Sequence, residues 1–451
     1  MHLTFLGATQ TVTGSRYLLA CGKHQLLVDC GLFQGYKYLR LKNWKPLPVD
    51  VDALHAVILT HAHLDHSGFL PALWRDGYRG PVYATAATAD LCRILLPDSG
   101  HLQEEQAQYA NRHKFSRHSP ALPLYTQADA EASLDLFRPV DFDSLLTVAP
   151  GISCRFSRAG HLLGAASVRI EHEGRSVLFS GDLGRPNDPL MPAAAAPPAA
   201  DYVLIESTYG DRLHAPVDPQ VQLRDAIRRA CDRRGVILIP TFAVGRAQLM
   251  MLLIARLKAA GEIPDLPVYL DSPMAIDATD SLLRFRREQR LDDAEIARLR
   301  NVAKRVHTQD ESRALDRIRE PAIILAASGM ATGGRILHHL KVFAPDARNL
   351  ILFAGFQAGG TRGAAMVGGA RSVRIHGEDF PLNAEVLQLD AISAHADAAE
   401  LIGWLHQMPH PPRRVFITHG EAAASDALRA KISRELGWRA EAPEYRDEVD
   451  L

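Results

Sequence analysis

The chain has 451 residues, which is long enough for two or three domains and a large hydrophobic core. Its 51 basic and 52 acidic residues nearly cancel, so the formal net charge is −1. This balance excludes a uniformly basic protein that coats nucleic acid, and any nucleic-acid binding must be confined to a local groove.

The cysteine pattern and the hydropathy predict where the protein resides. Five cysteines are scattered without a Cys-x-x-Cys pair, which is typical of reduced thiols inside a cell. No apolar stretch approaches the ~20 residues that a membrane-spanning helix needs. The sequence therefore predicts a soluble, cytoplasmic protein without a membrane partner. It offers no heptad pattern to settle an oligomeric state, so a homodimer remains open.

Short apolar runs predict strands in the first part of the chain, and longer periodic segments predict helices. The predicted strands are residues 3–6, 17–20, 25–29, 56–60, 153–156, 167–172 and 176–180, with a helix over residues 88–110. Further on, predicted strands and helices alternate, which is typical of a mainly parallel sheet covered on both faces. These are strands 236–240, 268–270, 322–326 and 349–354, helices 246–260, 275–289 and 333–341, and a last helix over residues 423–436.

Four ligand-type side chains follow the strand predicted to end at residue 60. They are His61, His63, Asp65 and His66, and we expect them on the loop that leaves the strand. Imidazole and carboxylate groups are ligands that zinc and similar cations prefer. Four of them are too many for a single open zinc site, so the segment predicts two adjacent metal ions. A polar surface loop without metal is the alternative, but such a density of ligands rarely serves solubility alone.

The segment matches His-x-His-x-Asp-His, and the chain here resembles the metallo-β-lactamase superfamily. The resemblance implies an α/β fold, an αββα sandwich with metal ions at one edge, and further ligands downstream. It implies that one Zn²⁺ ion is held by His61, His63 and His161, that the second is held by Asp65, His66 and His419, and that Asp182 bridges the two.

Each downstream ligand flanks a short β-prone run with glycine nearby, as a loop close to a metal requires. Alone, His161 and His419 would be ordinary histidines. Asp29 matches the superfamily's early aspartate, and its expected role is to order the histidine loop by hydrogen bonds without touching metal. A turn residue at the strand end is the alternative for Asp29. A metal pair of this kind lowers the pKa of bound water to about 7 and so supplies hydroxide.

The long interval between Asp182 and His419 leaves room for an inserted domain. Several blocks in it resemble the β-CASP group of nucleic-acid-processing enzymes within the superfamily. Glu206 fits the acid of the group's first motif, and His395 fits the histidine of the second. The resemblance implies three segments: residues 1–207 as the first part of the metallo-β-lactamase domain, 208–380 as the inserted α/β β-CASP domain, and 381–451 as the second part.

The resemblance also implies catalytic roles. His395 is the candidate general acid, because histidine exchanges protons near neutral pH and a sugar alkoxide is a poor leaving group. Glu206 is the candidate neighbour that holds the ring and favours its protonated form. Asp65 is a candidate catalytic residue as well as a metal ligand. A helix cap or a surface salt bridge is the alternative role for Glu206.

Glycine-rich turns after predicted strands are candidate phosphate-binding sites, because successive backbone N–H groups form a nest for anions. The first such turn, residues 328–335, comes after the strand predicted over residues 322–326. It is not followed by Gly-Lys-Ser/Thr, so use of a nucleoside triphosphate is not implied. A second glycine-rich run, residues 355–369, could add an arginine, although simple tight turns explain it equally well. The candidate phosphate- or RNA-binding residues are Ser328, Gly329, Met330, Thr332, Gly333, Arg335, Arg246, Arg362 and Ser393.

Three hypotheses of function follow. The first is a two-zinc ribonuclease acting on single-stranded RNA, endonucleolytic, 5′-exonucleolytic or both, with DNA as a variant substrate. The second is a metal-dependent hydrolase of a small molecule, which would need neither the insertion nor His395. The third is a non-catalytic scaffold, although relatives of that kind lose metal ligands and all seven positions are intact here. The residues favour the first hypothesis.

Overall fold

The computed structural model describes residues 1–114, 116, 118–355, 357, 359–389 and 392–451. The chain forms two compact units, of which unit 1 contains Met1–Leu213 and His395–Leu451, and unit 2 contains His214–Ala394. The domain boundaries predicted after residues 207 and 380 stay a prediction. Within the described residues, no helix has the length and apolar character needed to cross a membrane.

Strands dominate the first part of unit 1, and several alternate buried and half-buried residues, as expected of a strand with one face on a core. Their bounds are β1 His2–Phe5, β2 Tyr17–Cys21, β3 His24–Val28, β4 Leu54–Ile58, β5 Val82–Thr85, β6 Phe137–Val140, β7 Leu146–Ala149, β8 Ile152–Arg158, β9 Ala166–His172, β10 Arg175–Phe179 and β11 Tyr202–Ile205.

The helices of this part are α1 Lys37–Arg40, α2 Leu64–Ser67, α3 Leu70–Arg75, α4 Ala86–His113 and α5 Gln127–Ser133. The long helix α4 contacts strands β5 and β6, and α5 packs on α4. Helix α4 starts at a cap, where the Thr85 side chain accepts a hydrogen bond from the Thr88 backbone N–H. It ends where Lys114 adopts a left-handed conformation, with φ 53°.

Unit 2 alternates strands and helices as predicted. Its strands are β12 Ile237–Pro240, β13 Val268–Asp271, β14 Lys304–Arg305, β15 Ile323–Ala326, β16 Leu350–Ala354, β17 Ser372–Ile375, β18 Glu378–Pro381 and β19 Glu385–Leu389, and its helices are α6 Pro219–Asp232, α7 Arg246–Ala259, α8 Pro273–Arg284, α9 Asp293–Asn301, α10 Gln309–Leu315, α11 Ile336–Phe343 and α12 Arg362–Val367. The strands form a parallel sheet in the order β14-β13-β15-β12-β16-β19, and β17 and β18 form a separate antiparallel hairpin. Strands β12 and β15 are buried along their whole length, as a sheet covered on both faces requires.

One predicted helix of unit 2 is too long. The helix predicted over residues 275–289 ends at Arg284, because Phe285 leaves the helical conformation with φ −92° and ψ 53°. Only a short 3₁₀ turn, Arg286–Glu288, follows. The basic residues 284–290 therefore occupy a helix end and a turn.

The chain returns to unit 1 with α13 Ala398–Leu405, β20 Arg414–Ile417, α14 Ala422–Glu435, β21 Ala440–Glu441 and β22 Glu448–Asp450. Two mixed sheets result, in the orders β22-β1-β2-β3-β4-β5-β6 and β21-β20-β11-β10-β9-β8-β7. Their facing side chains form the core of unit 1. In it Phe5 of the first sheet packs on Phe416 of the second, with ring centroids 5.3 Å apart.

The sheets of unit 1 also determine where the polar residues lie. Strands β10, β11 and β20 are parallel neighbours, so their carboxyl ends meet at one edge of the second sheet. Asp182, Glu206 and His419 follow these three strands in that order. Backbone bonds join the sheets at this edge, since the Ala166 N–H donates to the carbonyl of Thr60 just after β4.

Candidate metal centre

The histidine-rich segment begins where β4 ends. His61 and His63 precede helix α2, whose first turn carries Asp65 and His66. The expectation of a loop for the whole segment is therefore wrong for its second half, where Leu64–Ser67 is helical. One helical turn is too short to show a periodic apolar pattern, which is why the sequence does not reveal it.

The carboxylate of Asp182 faces a different pair of histidines with each of its oxygens. Oδ2 lies 3.5 Å from His61 Nε2 and 3.6 Å from His161 Nε2. Oδ1 lies 3.3 Å from His66 Nε2 and 3.5 Å from His419 Nδ1. One buried carboxylate thus contacts two groups of imidazoles at the same time.

Two groups of donor atoms at this edge could each hold a metal ion. The first group is His61, His63, His161 and Asp182, and the second is Asp65, His66 and His419, with the donor atoms of each group within 4.8 Å of one another. Imidazole nitrogens combined with carboxylate oxygens suit zinc and similar divalent cations. All the residues for which the sequence predicts metal binding are therefore brought together in unit 1.

Two local features show that these residues fit bound cations. His61 Nε2 is buried and has no hydrogen-bond partner among the residues that the structure describes. His63 Nδ1 and His161 Nε2 lie 3.2 Å apart, close enough to share one cation. Buried polar atoms without partners are costly, and a cation bound by these nitrogens would remove that cost.

Burial and neighbouring charges set the protonation of the site. Burial lowers the pKa of His61 well below its usual range and lowers that of His63 to about 4, so both rings are neutral, the form that binds metal. At Asp182 burial opposes ionisation, but the surrounding histidines outweigh it and hold the pKa well below its usual range. At His66 burial is outweighed by Asp182 and Asp29, which raise the pKa, so a cation would displace a proton there.

Asp29 contacts residues 60–66, here named the ligand loop, which carry the first four predicted metal ligands. Its backbone is left-handed, with φ 58°, an uncommon conformation for a residue other than glycine. Oδ1 accepts a hydrogen bond from the Thr60 N–H at 2.8 Å, and Oδ2 accepts one from Thr60 Oγ1 at 2.9 Å. Oδ2 also lies 2.8 Å from His66 Nδ1. These contacts orient the His66 ring so that Nε2 faces Asp182.

Glu206 and His395 form a pair beside Asp182. Glu206 is 1 % exposed, and its Oε1 accepts a hydrogen bond from the Leu183 N–H at 2.7 Å. His395 Nδ1 lies 3.1 Å from Glu206 Oε2 and 3.9 Å from Asp182 Oδ2. A backbone bridge between Gly184 and His395 holds the histidine next to the metal ligands. Because Glu206 is buried, the surface salt bridge considered for it is excluded.

Two threonines that were not predicted as site residues also contact predicted metal ligands. Thr60 Oγ1 lies 3.1 Å from His61 Nδ1, and Thr208 Oγ1 lies 3.1 Å from His419 Nδ1. In His61 the threonine contacts Nδ1, while Nε2 faces Asp182. In His419 the threonine contacts the same Nδ1 that faces Asp182. Both residues directly adjoin or lie within the predicted motifs, and that adjacency was the only signal that could have identified them.

The candidate phosphate-binding turn lies in unit 2. The Thr332 N–H donates to Ser328 Oγ at 2.9 Å, and the two hydroxyl oxygens are 3.0 Å apart. The Met330 carbonyl accepts a hydrogen bond from the Gly363 N–H, and the Gly333 carbonyl accepts one from the Ser328 N–H. At Gly329 a Cβ would lie 2.7 Å from the Phe242 ring, so only glycine fits there. The turn is compact, with the hydroxyl groups of Ser328 and Thr332 at the surface.

Two of the predicted phosphate-binding arginines are engaged within unit 2. Arg335 donates to Asp271 Oδ1 at 2.5 Å and to the His307 carbonyl at 2.8 Å. Arg362 donates to the Arg374 carbonyl at 2.7 Å. These contacts favour a structural role for both guanidinium groups over the predicted contact with phosphate.

The remaining predicted RNA-binding residues are also in unit 2. Arg246 is the first residue of α7 and is half-buried, and Ser393 is 3 % exposed. The second glycine-rich run contains Phe356 and Ala358, which lie outside the described residues, and its later part forms helix α12. The contacts of Arg246, Ser393 and the second glycine-rich run with RNA stay predictions.

Three protein families match this chain. Residues 12–229 match the metallo-beta-lactamase superfamily, residues 247–366 match the Beta-Casp domain, and residues 379–443 match a Zn-dependent metallo-hydrolase RNA specificity domain. The matches cover residues 61–66, most of the strands and helices of unit 2, and the segment with His395 and His419.

Individual proteins match over nearly the whole chain. A ribonuclease of Thermus thermophilus, TTHA0252, is 40% identical over 93% of this chain and 93% of its own length. The transcription termination factor FttA of Methanocaldococcus jannaschii is 32% identical over 93% of this chain and 67% of its own length. A solved structure of a protein of unknown function from Enterococcus faecalis V583 shares the fold, with a TM-score of 0.56 and 14% identity over 100% of this chain and 99% of the other.

Proposed function

The chain belongs to the β-CASP group of the metallo-β-lactamase superfamily, and on that basis we propose that it is a two-zinc ribonuclease. The family and the fold class predicted from the sequence are confirmed, and the chain is a metal-dependent hydrolase. The proposed reaction is hydrolysis of phosphodiester bonds in single-stranded RNA, by internal cleavage, by 5′-exonucleolytic cleavage or by both. The name of the Thermus thermophilus relative, a ribonuclease, supports RNA as the substrate class.

The observation that carries the proposal is the contact of Asp182 with both groups of imidazoles. A carboxylate with one oxygen toward His61 and His161 and the other toward His66 and His419 suits a bridge between two cations. The first ion would be held by His61, His63, His161 and Asp182, and the second by Asp65, His66, His419 and Asp182. When bound, such a pair supplies Lewis acidity at the scissile phosphate and lowers the pKa of water.

The residues of the chain supply the proton that the leaving group needs. Glu206 lies against His395 Nδ1, so it stabilises a positive charge on that ring and fixes its orientation. We assign the transferred proton to Nε2 of His395, from which it passes to the leaving oxygen of the sugar as the P–O bond breaks. The Leu183 N–H and the Thr208 N–H hold the Glu206 carboxylate in place.

Unit 2 is proposed to contribute contacts to phosphate groups. The surface hydroxyls of Ser328 and Thr332 and the backbone of residues 328–333 are suited to binding anions. Arg246 and Ser393 are retained as proposed RNA contacts on their motifs alone. The contacts of Arg335 and Arg362 within the unit support a structural role for both.

The decisive experiment uses purified, zinc-loaded protein and single-stranded RNA labelled at its 5′ end. The variants are His395→Ala and, as a matched control, His410→Ala, which removes an exposed histidine of the same unit. We expect cleavage by wild type and by His410→Ala. His395→Ala should lose roughly 10²- to 10⁴-fold in rate, as expected for removal of a general acid. Its metal content, measured by mass spectrometry, should stay at the wild-type value.

The alternatives have distinct outcomes in the same assay. RNA left intact by wild type that contains both ions would overturn the proposal and favour hydrolysis of a small molecule. Faster cleavage of a matched single-stranded DNA would replace RNA by DNA as the substrate. Label released first as mononucleotide indicates 5′-exonucleolytic action, whereas a ladder of longer labelled fragments indicates internal cuts.

A further inference from the structure

A short segment of unit 1 exposes aromatic rings to solvent next to the ligand loop. In residues 36–45, here named the aromatic segment, Tyr36, Tyr38 and Trp44 are 48%, 65% and 57% exposed. The rings of Tyr36 and Tyr38 are stacked, with centroids 5.9 Å apart and an angle of 19° between planes. Large exposed apolar groups clustered in this way mark a binding surface more often than a bare exterior.

The same segment carries positive charge and no negative charge. Its basic residues are Lys37, Arg40, Lys42 and Lys45, and it contains no aspartate or glutamate. The ammonium group of Lys42 lies 4.1 Å from the ring centroid of Tyr445, a further half-exposed aromatic residue. Alternation of basic and aromatic side chains is the composition that binds single-stranded nucleic acid, through phosphate contacts and base stacking.

The backbone of the aromatic segment is held firmly. Asn43 is buried, its Oδ1 accepts from the Phe33 N–H at 2.9 Å, and its Nδ2 donates to the Phe33 carbonyl at 2.8 Å. Arg16 donates to the same Oδ1 at 3.2 Å. Leu39, also in the segment, is buried. Tyr36, Tyr38 and Trp44 are therefore presented from an anchored piece of chain, which lowers the entropy lost when a ligand binds.

The chain just before the aromatic segment is bonded to the ligand loop. The Cys30 N–H donates to the His66 carbonyl at 2.7 Å, and the Leu32 N–H donates to the Leu64 carbonyl at 2.8 Å. Because a residue spans at most about 3.3–3.6 Å, Tyr36 lies within about 14 Å of Leu32. A polymer bound at the metal ligands can therefore reach the aromatic rings within a few monomer units.

We propose that the aromatic segment is a stacking platform for single-stranded RNA that extends from the metal centre. Bases stack on Tyr36, Tyr38 and Trp44, and the cations of Lys37 and Arg40 contact the phosphates. Because every base has a π-face, the platform binds RNA without sequence preference. This inference rests on the proposed ribonuclease function and adds a binding site outside the metal centre.

The test measures binding in the His395→Ala background, so that RNA stays intact. Labelled single-stranded RNA is titrated with protein, and fluorescence anisotropy gives Kd. Tyr38→Ala and Trp44→Ala should each raise Kd roughly 5- to 150-fold, which corresponds to the loss of one stacked base. Tyr38→Phe keeps the ring and should keep the Kd. Leu145→Ala, which removes an exposed side chain without a ring outside the aromatic segment, is the matched control and should also leave Kd unchanged.

Two further readouts separate stacking from charge. Trp44 is the exposed tryptophan among the four of the chain, and RNA should quench its emission in wild type but not in Trp44→Phe. Lys37→Gln and Arg40→Gln should each reduce the salt dependence of log Kd by about one unit of slope.

Failure of this inference and failure of the proposed function look different. If wild type neither cleaves nor binds RNA, the proposed function fails and the platform with it. If wild type cleaves RNA while Tyr38→Ala and Trp44→Ala bind it as tightly as the parent, only the platform is overturned. Two other outcomes would also overturn the platform. If Tyr38→Ala and Trp44→Ala keep their RNA affinity but change from dimer to monomer, the surface binds a second copy of the chain. If they keep their RNA affinity but no longer bind anionic vesicles, the surface binds a membrane.

Discussion

Asp29 Oδ2 lies 2.8 Å from Nδ1 of His66, and Nε2 of the same ring faces Asp182 at 3.3 Å. The imidazole is thus held between the carboxylate of Asp29 and that of Asp182, a predicted metal ligand. Asp29 also accepts hydrogen bonds from the N–H and hydroxyl groups of Thr60, the residue before His61. One side chain therefore orients both ends of the ligand loop.

Replacing Asp29 with alanine should weaken metal binding without removing a ligand. Loss of such a supporting carboxylate typically costs about 10- to 100-fold in metal affinity. We expect that loss for Asp29→Ala in a competition titration with a chelator of known zinc affinity. Asp201→Asn is the control, because Asp201 accepts hydrogen bonds from Ser176 in the same unit but contacts no predicted ligand. Wild-type zinc affinity in Asp29→Ala would contradict the orienting role.

The number of bound ions should depend differently on Asp182 and on His161. His161 belongs to one donor group, so His161→Ala should retain one ion, in the group of Asp65, His66 and His419. Asp182 contacts both groups, so Asp182→Asn should weaken both ions. Metal content per chain, measured by mass spectrometry after gel filtration, distinguishes the cases. Equal retention of one ion by both variants would show that Asp182 serves a single metal.

The resemblance to the His-x-His-x-Asp-His motif implies the predicted metal ligands, and the predicted strand ends indicate where they lie. The predicted bounds of strands β4 and β10 lie within two residues of the observed ones. His61 follows β4 closely along the chain, and Asp182 follows β10. The contacts that occupy the predicted phosphate-binding arginines could not be predicted in this way. Arg335 pairs with Asp271, 64 residues earlier, and only the folded chain shows that this guanidinium is engaged.

Several elements leave no clear pattern in the sequence. Strand β6 reads Phe-Arg-Pro-Val at the edge of its sheet, and its exposed arginine and proline hide the alternation that marks a strand. Helix α2 is a single turn, and strand β14 has two residues. Elements this short are formed by tertiary contacts and not by local preference, so local patterns do not reveal them.

Gly31 should be intolerant of any side chain. A Cβ at Gly31 would lie 1.6 Å from the carbonyl oxygen of Asp65, a backbone atom of helix α2. Gly31→Ala must therefore displace the ligand loop, and we expect a loss of about 1–3 kcal/mol in the free energy of unfolding, as for other overpacked sites. Thermal unfolding together with metal content measures both effects.

A second glycine of the same unit provides the control for this prediction. Gly403 lies within helix α13, and a Cβ there would meet no heavy atom within 4 Å. Gly403→Ala should therefore stabilise the helix by up to about 1 kcal/mol, since alanine favours helix over glycine. Equal effects of the two substitutions would contradict the close approach at Gly31.

A buried charged cluster in unit 2 should make stability depend on pH. His339 Nε2 lies 2.7 Å from Asp271 Oδ2, and His339 Nδ1 lies 2.7 Å from Asp316 Oδ1. Burial alone would lower the pKa of His339, but its hydrogen bonds to Asp271 and Asp316 outweigh burial and raise it. The stabilisation by the charged ring is therefore complete below the unfolded value of 6.5 and is lost as pH rises through the raised folded value.

We expect the difference in the free energy of unfolding between wild type and His339→Gln to decrease as pH rises. At pH 6 the variant should lose about 1.5–3 kcal/mol of unfolding free energy, because both carboxylates lose a charged hydrogen-bond partner while Asp271 keeps its ion pair with Arg335. The difference should shrink as pH rises from 6 to 9, in urea titrations followed by circular dichroism. His307→Gln, which replaces an exposed histidine side chain of the same unit, should match wild type throughout. A difference of constant size over this range would mean that His339 is neutral in the folded protein and stabilises it by packing alone.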